Sequence, residues 1–206
     1  MWEFLRAGGP VMFLLLATSI VAVTFIVERG IALRWARVIP PEVQDAAERV
    51  TRKEDLSRLA QICEEHPSSL SNLILTAKEH LGWPRQENVD SIETRARHEV
   101  VKLERGIVIL EIVVGIAPLM GLIGTLHGLI SLFAGLGNVG ISDNAALAKG
   151  ISIALNTTLM GLIVAIPSLI AWSFYNKRVE TLAVEMESIC DQFLRNQYRG
   201  GEKGKS

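Results

Sequence analysis

The chain has 206 residues, 49% of them hydrophobic and 21% charged, with a net charge of −1 and a mean hydropathy of +0.30. That balance gives no electrostatic case for binding nucleic acid, which calls for a basic face. A soluble domain of this length would interleave its charges, but here they are segregated. No formal charge falls in Pro10–Val27, Ile112–Ser142 or Gly150–Tyr175, and charges are dense between these runs. A bilayer takes ~20 apolar residues to span, so the pattern predicts an all-α membrane protein with three transmembrane helices and one polar insert.

Residues 1–9 read as an outer N-terminus and residues 10–28 as the first transmembrane helix. We read this as a retained span rather than a cleaved signal peptide. Glu3 stands beside Arg6, and Val27-Glu28-Arg29 stands where a small-residue cleavage site would be. Arg29, Arg34 and Arg37 follow the span whereas only Arg6 precedes it. The positive-inside rule then puts the N-terminus outside and the next segment in the cytoplasm.

Residues 29–105 read as a cytoplasmic helical insert. Pro40-Pro41 ends one helix and opens another, proline suiting a first turn. His66-Pro67-Ser68 breaks the chain again, and Ser68 or Ser69 can cap the next helix. Gly82-Trp83-Pro84 makes the third break, after which a charged helix leads without a breaker into Gly106. From Arg29 to Arg105 there are 13 basic and 13 acidic residues, so the insert is electrically balanced and its charges read as a solvated face. His80 and His98 lack companions at ligand spacing, and Cys63 and Cys190 are lone thiols, so neither a metal site nor a disulfide is expected.

The second transmembrane helix is assigned to residues 106–137. Gly121, Gly124 and Gly128 fall on one side, and Gly124–Gly128 is a GxxxG spacing that lets helices approach closely. Glu111, Pro118 and Thr125 are seven residues apart and share a face, with a drift of about 20° per heptad. Glu111 thus lies below Thr125 on the same stripe, about 21 Å away at ~1.5 Å per residue. It reads either as part of an ion path or as a headgroup-level carboxylate near Arg105. His127, about 160° round the helix from Thr125, is expected to pack at a helix interface.

A glycine-rich outer loop, residues 138–148, joins the third transmembrane helix, residues 149–176. Gly150, Ala154, Thr158, Gly161 and Ala165 fall within an arc of about 80°, with Thr157 beside it. Ser152 and Asn156 lie on another side, where they are expected to hydrogen-bond to an adjacent helix. Pro118 and Pro167 bend or loosen their helices. A single threonine of this kind bonds back to its own helix. Two proline-bearing spans, each with a threonine on a Gly/Ala stripe, point instead to a polar lining between subunits. Residues 177–206 form a cytoplasmic C-terminal helix and tail.

At 117–130, APLMGLIGTLHGLI, and 150–167, GISIALNTTLMGLIVAIP, the sequence resembles the MotA/TolQ/ExbB proton-channel family, and within it the three-span TolQ/ExbB branch. The Glu28-Arg29 pair is a weaker match. The resemblance covers about half of the chain; the insert and tail carry no motif. It implies a bacterial inner-membrane motor subunit rather than an enzyme, forming a homo-oligomeric ring, typically a pentamer. The ring would surround a dimeric, single-span TolR/ExbD-like partner whose membrane aspartate carries the ion, with a TonB/TolA-like protein as a further partner. Thr125 and Thr158 match the threonines that the family places opposite that aspartate, and Pro118 and Pro167 match its prolines. No cofactor is implied.

One departure stands out. Many members carry a glutamate where this chain has Ile153, so the ring's own third span offers no carboxylate, and proton and sodium both stay open. A non-conducting scaffold is the contrasting class. An intramembrane enzyme lacks support, because no Ser–Lys pair, HExxH motif or nucleotide loop is present.

Overall fold

The computed structural model describes residues 9–50, 55–139 and 144–203. The outer N-terminus up to residue 8, the middle of the outer loop (140–143), a short stretch of the insert (51–54) and the last three residues lie outside the described residues. The described residues are all-helical, without strands. We number the helices α1 (Gly9–Ala32), α2 (Trp35–Val38), α3 (Pro41–Arg49), α4 (Leu56–Glu65), α5 (Ser69–Glu79), α6 (Arg85–Glu104), α7 (Ile107–Val139) and α8 (Asn144–Lys203). The chain divides into two units, one of Met1–Arg29 with Gly106–Phe174, the other of Gly30–Arg105 with Tyr175–Ser206.

The first unit holds α7, most of α1 and the first half of α8, and these are the three helices long and apolar enough to cross a membrane. In hydrocarbon a backbone must satisfy its own polar groups, so a helix is the form such segments take. Leu15, Ala22, Val113, Ala117, Val164 and Ala165 make a narrow core where the three meet. Large residues such as Ile20, Leu119, Ile130, Phe133, Leu155 and Ile170 stay exposed on the single chain. An apolar surface of that extent belongs against lipid or other membrane helices. Thr18 bonds back to the Leu14 carbonyl at 2.8 Å and touches the Met120 sulfur at 4.0 Å, fixing α1 beside α7.

The second unit is a helical bundle. Ser68 is the N-cap of α5, its hydroxyl accepting from the Ser71 amide at 3.1 Å. Pro41 begins α3. Val43, Leu59, Leu70, Leu73 and Ile74 are fully buried. The second half of α8 completes this core with Tyr175, Val179, Leu182, Met186, Ile189 and Phe193, buried at alternating four- and three-residue steps. Gln197 donates to the Val50 carbonyl at 2.9 Å, and Arg85 pairs with Asp191 at 3.1 Å. Glu99, 3% exposed, accepts from Asn72 at 3.2 Å and Lys102 at 2.9 Å, which compensates its burial.

Three features depart from the sequence reading. The helix α8 continues through Lys177 and Arg178 for 60 residues in all, so the third span assigned to 149–176 and the C-terminal helix after it are one helix. A break separates α6 from α7 at Arg105–Gly106. There the Arg29 side chain crosses so close that a Cβ on Gly106 would lie 2.5 Å from its Nε. Finally, α7 extends to Val139 and α8 begins at Asn144, so helix takes in both ends of the stretch 138–148 assigned to the outer loop.

Candidate functional site

The small residues of α7 and α8 face each other within one chain. A Cβ on Gly161 would sit 2.6 Å from the Ala117 carbonyl oxygen, and one on Gly121 would sit 2.9 Å from the Thr157 carbonyl oxygen. Gly124 abuts the Thr157 side chain, and Gly128 abuts Ala154. Backbone therefore touches backbone, which only glycine permits at these points. The two stripes expected to line a contact between subunits thus first close on each other. Small residues on antiparallel neighbours allow that approach, and dispersion favours it.

The hydroxyls lie at the centre of this seam. Thr125 Oγ1 and Thr158 Oγ1 are hydrogen-bonded to each other. Thr125 Oγ1 also lies 3.1 Å from its own Gly121 carbonyl, 3.2 Å from the Ala154 carbonyl and 3.4 Å from Thr157 Oγ1. Thr157 Oγ1 lies 2.7 Å from the Ala154 carbonyl and 3.2 Å from that of Gly121. Back-bonding and cross-helix bonding therefore occur together. Each hydroxyl owns one hydrogen, so three hydrogens are shared among two carbonyls and three hydroxyl oxygens, which leaves accepting lone pairs over. The result is an oxygen-rich, uncharged cluster in a segment without formal charge, able to solvate a carboxyl group or a desolvated cation.

Thr157 is 1% exposed and ties the helices together from within, whereas Thr125 and Thr158 are only half-buried on the single chain. Pro118 is half-buried and Pro167 exposed, and both helices run through them. Each proline removes the amide that would bond a carbonyl one turn back, those of Val114 and Ile163. Ser168, fully buried, donates to the Val164 carbonyl at 2.7 Å beside that second gap; sequence reading passed over it, a lone serine beside a proline being its only signal. Glu111 is exposed on α7, 14 positions before Thr125, without an ion pair among the described residues. His127 is exposed on the single chain. Among the described residues no three acidic, histidine or cysteine side chains gather as metal ligands.

Comparison with known proteins adds an independent line. A model of the MotA/TolQ/ExbB proton channel family matches residues 66–188. An ExbB-like biopolymer transport protein of Synechocystis sp. is 37% identical over 178 residues, covering 82% of this chain and 68% of the relative. The Tol-Pal system protein TolQ of Pseudomonas aeruginosa is 32% identical over 212 residues, covering 94% of this chain and 90% of the relative. An ExbB homologue of Methanothermobacter thermautotrophicus is 30% identical over 188 residues, covering 91% and 67% respectively.

Proposed function

The chain belongs to the MotA/TolQ/ExbB proton channel family, and on that footing we propose that it is the ring-forming subunit of an ion-driven motor that delivers work to the cell envelope. In this reading five copies surround a dimeric, single-span partner of the TolR/ExbD type in the bacterial inner membrane, with a TonB/TolA-like protein as the partner that does the work. The N-terminus faces the periplasm, and the insert and C-terminus face the cytoplasm. Three arginines close behind the first span support that orientation.

The observation that carries the reading is the half-buried, hydrogen-bonded Thr125–Thr158 pair, set in stretches of the two helices without formal charge. A scaffold needs close packing but has no use for half-buried hydroxyls clustered at its seam. A partner aspartate arriving there would find donors when ionised and acceptors when protonated, without a fixed charge to trap it. Glu111, on the same stripe toward the cytoplasmic end, serves as the exit-side carboxylate. Pro118 on α7 and Pro167 on α8 both loosen the ladder at the cytoplasmic end of the packed seam formed by Gly121, Gly124, Gly128 and Gly161.

A sodium-driven version of the same motor has its own support: the cluster is built of hydroxyl and carbonyl oxygens, and Ile153 supplies no carboxylate beside it. Native mass spectrometry of tagged protein, gently extracted, tests the assembly. A five-fold ring holding a single-span partner is expected, and a monomer or dimer without one overturns the reading. Ion flux in vesicles containing the complex, with sodium or protons as the sole gradient, separates the two ions.

A further inference from the structure

Among the described residues, the side chains of His127 on α7 and of Ser152 and Asn156 on α8 form no hydrogen bond. They share one depth. Gly128 touches Ala154, and the helices run antiparallel, so His127 is level with the position between Ser152 and Asn156. They do not share a face. His127 lies about a quarter-turn from the side of α7 that meets α8, and Ser152 and Asn156 lie about 160° from the side of α8 that meets α7. Within one chain these groups cannot pair, and His127 and Ser152 are exposed while Asn156 is half-buried.

Unpaired polar groups are costly in hydrocarbon, and an ionisable residue at that depth calls for a partner. His127 is the only acidic or basic side chain, histidine included, in the three charge-free runs. We propose that the His127 imidazole of one copy hydrogen-bonds the Asn156 carboxamide of the next copy, with Ser152 beside it. The contact is heterologous: the flank of one α7 meets the outward face of the neighbouring α8, and its repetition closes a ring. The chemistry matches, since a neutral imidazole offers one donor and one acceptor and a carboxamide offers both. This inference rests on the ring reading above and identifies one of its interfaces.

The test is intersubunit cross-linking in native membranes. His127→Cys is placed in a full-length copy with one tag, Asn156→Cys in a copy with another, and the two are co-expressed and oxidised with copper phenanthroline. A dimer carrying both tags is expected, with none from either single variant, since native Cys63 and Cys190 are buried. With both substitutions on every chain, a ladder up to the ring size is expected. An intact ring by native mass spectrometry without the two-tag dimer overturns this contact and leaves the ring standing. A monomer overturns both. If the cysteine variants do not assemble, His127→Gln and His127→Leu decide: the contact requires Gln to keep the ring and Leu to release it at several-fold lower detergent, and equal behaviour overturns it.

Discussion

Thr125 on α7 and Thr158 on α8 are hydrogen-bonded to each other across the seam where Gly121, Gly124 and Gly161 bring the two helices together. The bond closes a polar cluster with the Gly121 and Ala154 carbonyls, and both residues stay half-buried on the single chain. Valine has threonine's shape without the hydroxyl, so Thr125→Val or Thr158→Val removes chemistry and keeps packing. We expect either variant to abolish envelope work and ion flux while the purified complex retains its ring and partner. Two variants with normal flux would exclude the cluster from the ion path.

Close approach gives a separate prediction about stability. Gly161→Ala drives a Cβ to 2.6 Å from a backbone oxygen that cannot swing away, whereas a Cβ on Gly115 meets nothing within 4 Å. Overpacking of this kind costs about 1–3 kcal/mol. Gly161→Ala should therefore lower the thermal midpoint of the detergent-solubilised protein and weaken flux by prising Thr158 from Thr125. Gly115→Ala should leave both unchanged. Equal midpoints for the two variants would refute the backbone-to-backbone seam.

Much of this was legible in the sequence, and the failures have physical causes. Charge segregation alone locates three spans, and 3.6-residue periodicity places Gly121, Gly124 and Thr125 on one side of α7. Periodicity defines a face but does not say what covers it. The stripes of α7 and α8 therefore read as a lining between subunits, although they meet within one chain. That Pro41–Arg49 and Leu56–Glu65 are separate helices was not legible, because the stretch between them, 50–55, contains neither proline nor glycine, and Asp55 makes no side-chain cap. The continuity of α8 was missed because Lys177 and Arg178 change polarity but are good helix formers.

Glu111 is exposed at the start of α7 and makes no ion pair among the described residues. If it receives ions leaving the hydroxyl cluster, Glu111→Gln keeps size and polarity but loses the charge, and flux should fall several-fold while ring assembly stays intact. Unchanged flux in vesicles would leave Glu111 with a headgroup-level role alone.

Cys63 is buried in the second unit, and desolvation pushes its thiol up to about 11 from an ordinary 9.0. The folded form holds the proton more tightly than the unfolded chain does. Its contribution to stability is therefore complete below pH 9 and is lost as the pH rises toward 11. Iodoacetamide at pH 8 should leave Cys63 unmodified in the folded protein and label it after denaturation. Rapid labelling in the folded state would show that this core opens.

The end of α8 is held by a polar junction whose couplings can be measured. The Tyr198 hydroxyl donates to the Trp83 carbonyl at 2.9 Å and accepts from the Asn88 side-chain amide at 3.2 Å. Asn88 is fully buried, donates also to the Ala77 carbonyl at 3.0 Å, and leaves its own Oδ1 without a partner. Tyr198→Phe thus strands one amide hydrogen of Asn88 in the interior, and an unsatisfied buried donor costs about 1–3 kcal/mol. Asn88→Leu removes the stranded group and the already unpaired oxygen together, at the expense of the Ala77 bond. The double variant should therefore cost less than the sum of the two single ones, since the residues share partners. Thermal unfolding followed by tryptophan fluorescence, to which Trp83 contributes, reads all three. Strictly additive losses would mean that Tyr198 and Asn88 act independently and that the junction is a set of neighbours, not a coupled unit.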